Sequence, residues 1–353
     1  MEASVRVRER SRSKALLALA GVLAAGSLSS CFLFSGFGEA IERALEVGWY
    51  LNFYHSSLWS PDDRLLVSTD EGSLAVFTLD GSEPHVLADG TISNASFSPD
   101  GSAIALGTWE GLGDYQGGRH QVGAALWVMR ADGSELTPIA FSHQLTAFFP
   151  TWSPDGNWIA CTIQGRIELV RPDLSERRQL SPGSVPVWSP DGRLIATMVQ
   201  DEGSMDWWIQ LLSLHGSPPV RLTHGSFPSW SPDGRRLTFM QRVQDEGVLF
   251  DAFVIDADGS NRGRLCDGFL PRWSPDGERI LVTRLGPAKG FRLLTIAPDG
   301  SDERLLASET HWGHWSPDGR RIAFGRGAGV FVIDADGSNE RSLGRLPSGR
   351  PDS

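Results

Sequence analysis

An all-β fold, a seven-bladed β-propeller of four-stranded antiparallel blades, is what this 353-residue sequence predicts, on three observations. A phrase close to WSPDG starts at Trp59, Phe97, Trp152, Trp188, Trp230, Trp273 and Trp315. A second, DGS-like phrase follows each copy. The starts of the first phrase lie 38, 55, 36, 42, 43 and 42 residues apart, and a period of about 42 residues is that of a four-stranded propeller blade. The 55-residue interval and an extra apolar run, WYLNFY, also leave six or eight blades open.

The chain opens with five basic and two acidic side chains in residues 1–14, followed by the apolar stretch ALLALAGVLAAG from Ala15 to Gly26. A basic start followed by so short an apolar run reads as an export signal. SLSSC, Ser27 to Cys31, then resembles a bacterial lipobox, which implies cleavage after Ser30 and lipidation of Cys31. An uncleaved anchor over Ala15–Phe34 is the alternative, and either one exports the body. Residues 1–30 are thus expected to be a lipoprotein signal peptide, 31–54 a membrane-proximal tether with a short helix over Glu39–Val47, and 55–353 the propeller.

Within a repeat each turn is legible. In SPDG, Pro supplies the fixed φ of the second turn position, Asp accepts local backbone N–H groups, and Gly closes the turn. Strand patterns follow at once, as in RLIAT from Arg193 and RRIAF from Arg320. Apolar runs such as LWVMR from Leu126 and VFVID from Val330 lead into the second turn. There six copies place Gly where positive φ is useful, and the third has Leu174. Each repeat is therefore two hairpins, strands a to d. The tryptophans Trp59, Trp152, Trp188, Trp230, Trp273 and Trp315 recur at one structural address, which marks them as packing between blades.

The paired WSPDG and DADGS phrases, from Ser56 to Leu346, resemble the TolB-like propeller repeats of bacterial exported proteins. The resemblance implies a propeller scaffold. It leaves activity open, because such repeats serve a periplasmic partner of a peptidoglycan-associated lipoprotein as well as some peptidases and lyases. TolB itself has an α/β domain ahead of a six-bladed propeller. Only about 25 residues separate Cys31 from the first blade here, so the expectation is the propeller without that domain.

The SPDG and DGS turns lie at one end of the strands, and the b–c loops and d–a links lie at the other. The first set is uniform and the second varies, so specificity is expected on the second. The longest variable loop, Gly107 to Ala124, carries Trp109, Glu110, Tyr115, Arg119 and His120. The aromatics offer contact area and the polar groups offer orientation. Other candidates at that end are His143, Phe148 and Phe149; Glu202, Asp206 and Trp207; His224 and Asp267; Arg242 and Asp245; and His311, Trp312 and His314. Arg272 and His314, each just before a repeat tryptophan, are alternatively aimed at the central channel.

Composition narrows the function classes. Removal of residues 1–30 takes the formal charge from −11 to −14, which disfavours a nucleic-acid stripe. Cys161 and Cys266 fall at different places in their repeats, so no disulfide framework is expected. There is no G-x-S-x-G, H-E-x-x-H, P-loop or dinucleotide phrase, and no cofactor or metal set is assigned. The sequence favours an envelope lipoprotein that binds a protein or peptide without catalysis. A glycan or small-molecule binder, or a hydrolase or lyase with dispersed loop residues, is the alternative.

Overall fold

The computed structural model describes residues 58–346, apart from 69–72, 89–91, 111–121, 143–147, 202–205, 215, 244–249, 287–289 and 311. Cys31, the tether and the helix expected over Glu39–Val47 lie outside the described residues. The strands form seven antiparallel sheets arranged as the blades of an all-β propeller. Each is a meander of consecutive strands, as in blade 4, where Ser184–Trp188, Leu194–Gln200, Trp207–Ser213 and Val220–His224 follow in order. Six sheets have four strands. Blade 1 has three, Leu65–Ser68, Leu74–Phe77 and His85–Ala88, with an innermost bridge between Trp59 and Leu65. The count is seven, so the six- and eight-bladed alternatives fall away. Among the described residues no helix is long and apolar enough to cross a membrane.

Strands b and c are apolar almost throughout, because both faces of each sheet pack against neighbouring blades. Leu65–Ser68 and Ile159–Ile163 are buried at every position. The core is accordingly a series of layers between blades. One joins Ala196, Ile209 and Leu211 of blade 4 to Trp230, Leu237, Phe239, Phe253 and Ile255 of blade 5. Burial of apolar surface between sheets that share no hydrogen bonds is what holds such a ring together.

The repeat tryptophans sit at these seams. Trp59, Trp188, Trp230 and Trp273 are buried, and Trp152 and Trp315 are half-buried. Five indoles donate N–H to the backbone carbonyl just before the WSPDG phrase of the preceding blade. Trp152 reaches Ser96 (3.2 Å), Trp188 reaches Thr151 (3.1 Å), Trp230 reaches Val187 (3.2 Å) and Trp315 reaches Arg272 (3.3 Å). Trp59 closes the circle on His314 of blade 7 (3.4 Å). Blade 2 has Phe97 at this address, and the Trp273 indole N–H has no hydrogen-bond partner among the described residues. A large apolar ring with one polar edge suits this position, since it fills the wedge between twisted sheets and ties two of them together.

Candidate functional site

The two ends of the ring are built differently. At the turn end, the Ser of each SPD phrase donates its hydroxyl to the Asp two residues on. The distances are 2.6 Å for Ser98 to Asp100, Ser189 to Asp191, Ser231 to Asp233 and Ser316 to Asp318. The same Asp carboxylate accepts a backbone N–H, as from Arg193 to Asp191 at 3.1 Å, and the Ser oxygen accepts the Leu194 N–H at 2.9 Å. The Ser98, Ser189 and Ser231 hydroxyls, followed by the backbone N–H groups, hold the carboxyls of Asp100, Asp191 and Asp233 below the usual range. Neighbouring turns also touch. A Cβ on Gly101 would stand 3.0 Å from Pro61 Cδ of the preceding blade, and Gly101 has φ +72°, so the turn needs glycine on two counts. Blade 1 has Asp63 at this place, at φ 64°, and its carboxylate accepts a bond from Arg321 of blade 7 at 3.3 Å. The SPD acids, unlike Asp63, are committed to their own turns.

At the opposite end the central channel opens. Its mouth is a cavity of ≈ 120 Å³ lined by the beginnings of the innermost strands of blades 2 to 6. Phe149, Val185, Phe227 and Leu270 form its apolar rim, and Pro150, Pro186, Pro228 and Pro271 follow them one residue on. Proline is tolerated because the inner edge of each blade has no strand partner to receive its N–H. The pairing of strands a and b shifts register over Ser184/Val187, Ser226/Ser229 and Phe269/Arg272, so each of these strands bulges at the mouth. The four rim residues all take positive φ, between 43° and 53°. For a β-branched residue such as Val185 this is an uncommon conformation, with a cost of roughly 1 kcal/mol or more. The backbone is forced there by one-residue links from the blade before, Gly183, Gly225 and Gly268. A Cβ on Gly268 would meet Val282 Cγ1 at 2.6 Å and the Thr283 carbonyl oxygen at 2.8 Å.

Three polar side chains line this cavity: Asn94, Ser229 and Arg272. Asn94 is 3% exposed, and its Oδ1 has no hydrogen-bond partner among the described residues. Arg272 keeps some surface toward the channel, yet protein surrounds it, and desolvation pushes its pKa down to about 10. Asn94 and Arg272 thus both belong to the lining of a largely apolar cavity.

The sequence-derived candidates divide against this geometry. Trp109 and Glu110 end a strand of blade 2, Ala103–Glu110, and Tyr115, Arg119 and His120 lie outside the described residues. So do His143, Glu202, Asp245 and His311. Phe148 and Trp312, read as surface candidates, are core residues that fill gaps between blades. Phe149 does reach the channel. Asp206 and Arg242 are exposed, Trp207 is half-buried, and His224 lies tilted against Trp208 with ring centroids 3.6 Å apart, outside the cavity. Asp267 pairs with Arg284 at 3.1 Å. Of the two residues alternatively aimed at the channel, Arg272 lines the cavity and His314 is buried beside Trp312. Asn94 and the rim residues Val185, Phe227 and Leu270 were not singled out from the sequence. The signal for the three rim residues is G-x-x-P-x-W, which stands at Gly183, Gly225 and Gly268 and ends on the Trp of three WSPDG copies.

Among the described residues no group of three or more His, Cys, Asp or Glu side chains is placed to hold a metal ion. Cys161 and Cys266 are free and buried, and burial pushes both thiols up, away from reactivity.

A family model described as the TolB beta propeller domain matches residues 114–349. The chain belongs to the TolB beta propeller domain family. Similar solved structures include a TolB of Agrobacterium tumefaciens, 23% identical over 60% of this chain and 85% of that one, with a TM-score of 0.48. A puromycin-hydrolyzing peptidase of Mycobacterium tuberculosis is 17% identical, with coverage of 88% and 56% and a TM-score of 0.59. Hydrazine synthase of Kuenenia stuttgartiensis is 14% identical, with coverage of 81% and 96% and a TM-score of 0.58. No curated protein matches the chain. At such identities the likeness is one of fold, and the scaffold is shared by enzymes and non-enzymes alike.

Proposed function

We propose that this chain is an exported, lipid-anchored propeller that binds an envelope protein or peptide, without chemistry of its own, through the face bearing the b–c loops and d–a links. The observation that carries this reading is the contrast between the ends of the ring. The acids of the turn end are engaged in their own turns, whereas the other end opens an apolar cavity that holds Asn94 and Arg272. A concave apolar floor with a few polar groups is the form that binding sites commonly take, which supports this reading. The preferred contacts of this binding module are Trp109 and Tyr115, with Glu110, Arg119 and His120 setting orientation. Anchoring at Cys31 keeps the ring close to the membrane and the partner within the envelope.

Co-purification from solubilised membranes tests the proposal, with the wild-type chain compared with a Trp109→Ala/Tyr115→Ala double variant. One specific protein partner is expected with the wild type and lost with the variant, while thermal unfolding is unchanged. Unchanged partners would remove the proposed surface, and reproducible turnover of a substrate would replace binding by catalysis. On the same material, intact mass is expected to show loss of residues 1–30 and a lipid adduct on Cys31; a chain that starts at Met1 overturns the anchor.

A further inference from the structure

The apolar run Trp49 to Tyr54, WYLNFY, has no part in the binding surface proposed above. It lies outside the described residues, carries no charge, and is aromatic or aliphatic at every position except Asn52. Where it enters the ring follows from blade 1. The described part of that blade begins at Leu58, whose carbonyl accepts the Leu66 N–H at 2.8 Å, and Trp59 bonds His314 across the seam as Trp188 bonds Thr151. Leu58 thus stands where Val187 stands in blade 4. There the innermost strand, Ser184–Trp188, starts at the channel mouth and runs toward the turn end. By this correspondence the chain leading into Leu58 comes from the mouth side of the ring. Tyr54 is four residues before Leu58 and Trp49 nine, so an extended chain carries them at most about 14 Å and about 32 Å away. A tether this short keeps the run beside the mouth at an effective concentration on the order of millimolar.

We infer that the channel mouth is the docking site of the chain's own Trp49–Tyr54 segment, whose aromatic side chains seat among Phe149, Val185, Phe227 and Leu270. This goes beyond the binding reading: a partner that uses the cavity must first displace the segment, whereas one that binds the surrounding loops need not. The chemistry of the wall suits this occupant. Phenyl, aliphatic and pyrrolidine groups make up most of it, and the prolines have no N–H to offer, so it gives more to rings than to a polar ligand. Ala95, Phe149, Pro150, Phe227 and Arg272 of the lining each have a polar, ring or electrostatic contact besides those named above, so the mouth is engaged and not bare. The rim, fixed at positive φ, is a shape set in advance, which lowers the cost of docking a segment on it. The same run on a second copy of the chain lacks the tether and its concentration advantage.

The test uses the full chain in detergent with a photo-crosslinker at one position of the run, Phe53→p-benzoylphenylalanine. After irradiation, mass spectrometry of the digested monomer band is expected to join position 53 to peptides that contain Phe149–Pro150, Val185–Val187, Phe227–Ser229 or Leu270–Arg272. Ser229 lines the cavity and is half-buried, so Ser229→Tyr fills the site from within. It should lower the yield of these crosslinks at least fivefold. In the chain without the crosslinker it should speed chymotryptic cleavage after Tyr50, Phe53 and Tyr54 at least fivefold, with the urea midpoint retained. Crosslinks confined to other parts of the ring, crosslinks only between two chains, no crosslinks, or a yield unmoved by Ser229→Tyr overturns the inference. If Ser229→Tyr does not fold, the crosslink map from position 53 on the otherwise wild-type chain decides alone.

Discussion

The turn end of the ring and the channel mouth are made from the same repeats by opposite means. At the turn end the Ser and Asp side chains of the SPD phrases find their partners within about five residues, so Ser189, Asp191 and the Leu194 N–H complete one another whatever lies beyond. At the mouth the backbone is placed by contacts across blades: Gly268 is pressed against Val282 and Thr283, and Leu270 is left at φ 52°. Local satisfaction produces a surface with little left to offer. Long-range constraint produces an open cavity with an acceptor still unpaired.

Removal of a seam between blades should have the largest effect. Trp188→Ala empties the space between blades 3 and 4 and breaks the bond to Thr151, and a loss of about 3–5 kcal/mol is expected in urea denaturation. Trp188→Phe keeps most of the packing and loses only the N–H, about 1 kcal/mol. If the two variants behave alike, the indole's hydrogen bond and not its bulk ties the blades.

Acid acts on the turn end selectively. Hydrogen bonds from serine and backbone depress the folded-state pKa of Asp100, Asp191 and Asp233. The unfolded chain therefore binds more protons than the folded one near pH 3 to 4. The stability these carboxylates supply is complete above their unfolded value, about 3.9, and is lost as pH falls through the folded value. Asp191→Asn should cost at most about 1 kcal/mol at pH 7, since water competes at a half-exposed carboxylate, and the deficit should shrink as pH is lowered from 6 toward 3. A deficit independent of pH would assign the effect to geometry instead of charge.

The smallest change concerns the third repeat, whose second turn holds Leu174 at φ 63° where its counterparts have glycine. Leu174→Gly should stabilise the chain by about 0.5–1 kcal/mol, read as a small rise in the unfolding midpoint, because the exposed side chain contributes little and the backbone strain disappears. A fall would show that Leu174 packs usefully despite its exposure.

The turn end was readable from sequence because its chemistry is local: SPDG names its own hydrogen bonds, and repetition supplies the blade count. The tryptophans were readable as seam residues from their recurrence alone. The cavity was not, since its rim depends on a bulge that appears only when a one-residue link joins two packed blades. Arg272 stood out as a charge beside a repeat tryptophan, but Asn94 sits in the one blade that has phenylalanine in place of that tryptophan, and nothing local marks it. Phe148 and Trp312 misled because aromatic residues near a variable loop look alike whether they face solvent or fill a wedge.

Every described sheet is drawn from one unbroken stretch of chain, so each blade is complete as soon as its own outer strand has been made. During synthesis the ring can therefore assemble in order, one hairpin pair after another, with contacts that stay close in sequence. Only the junction of the first and last blades must wait. Until Arg321 meets Asp63 and Trp59 meets His314, the growing arc presents two raw apolar flanks, and this interval is when it most needs protection from its neighbours.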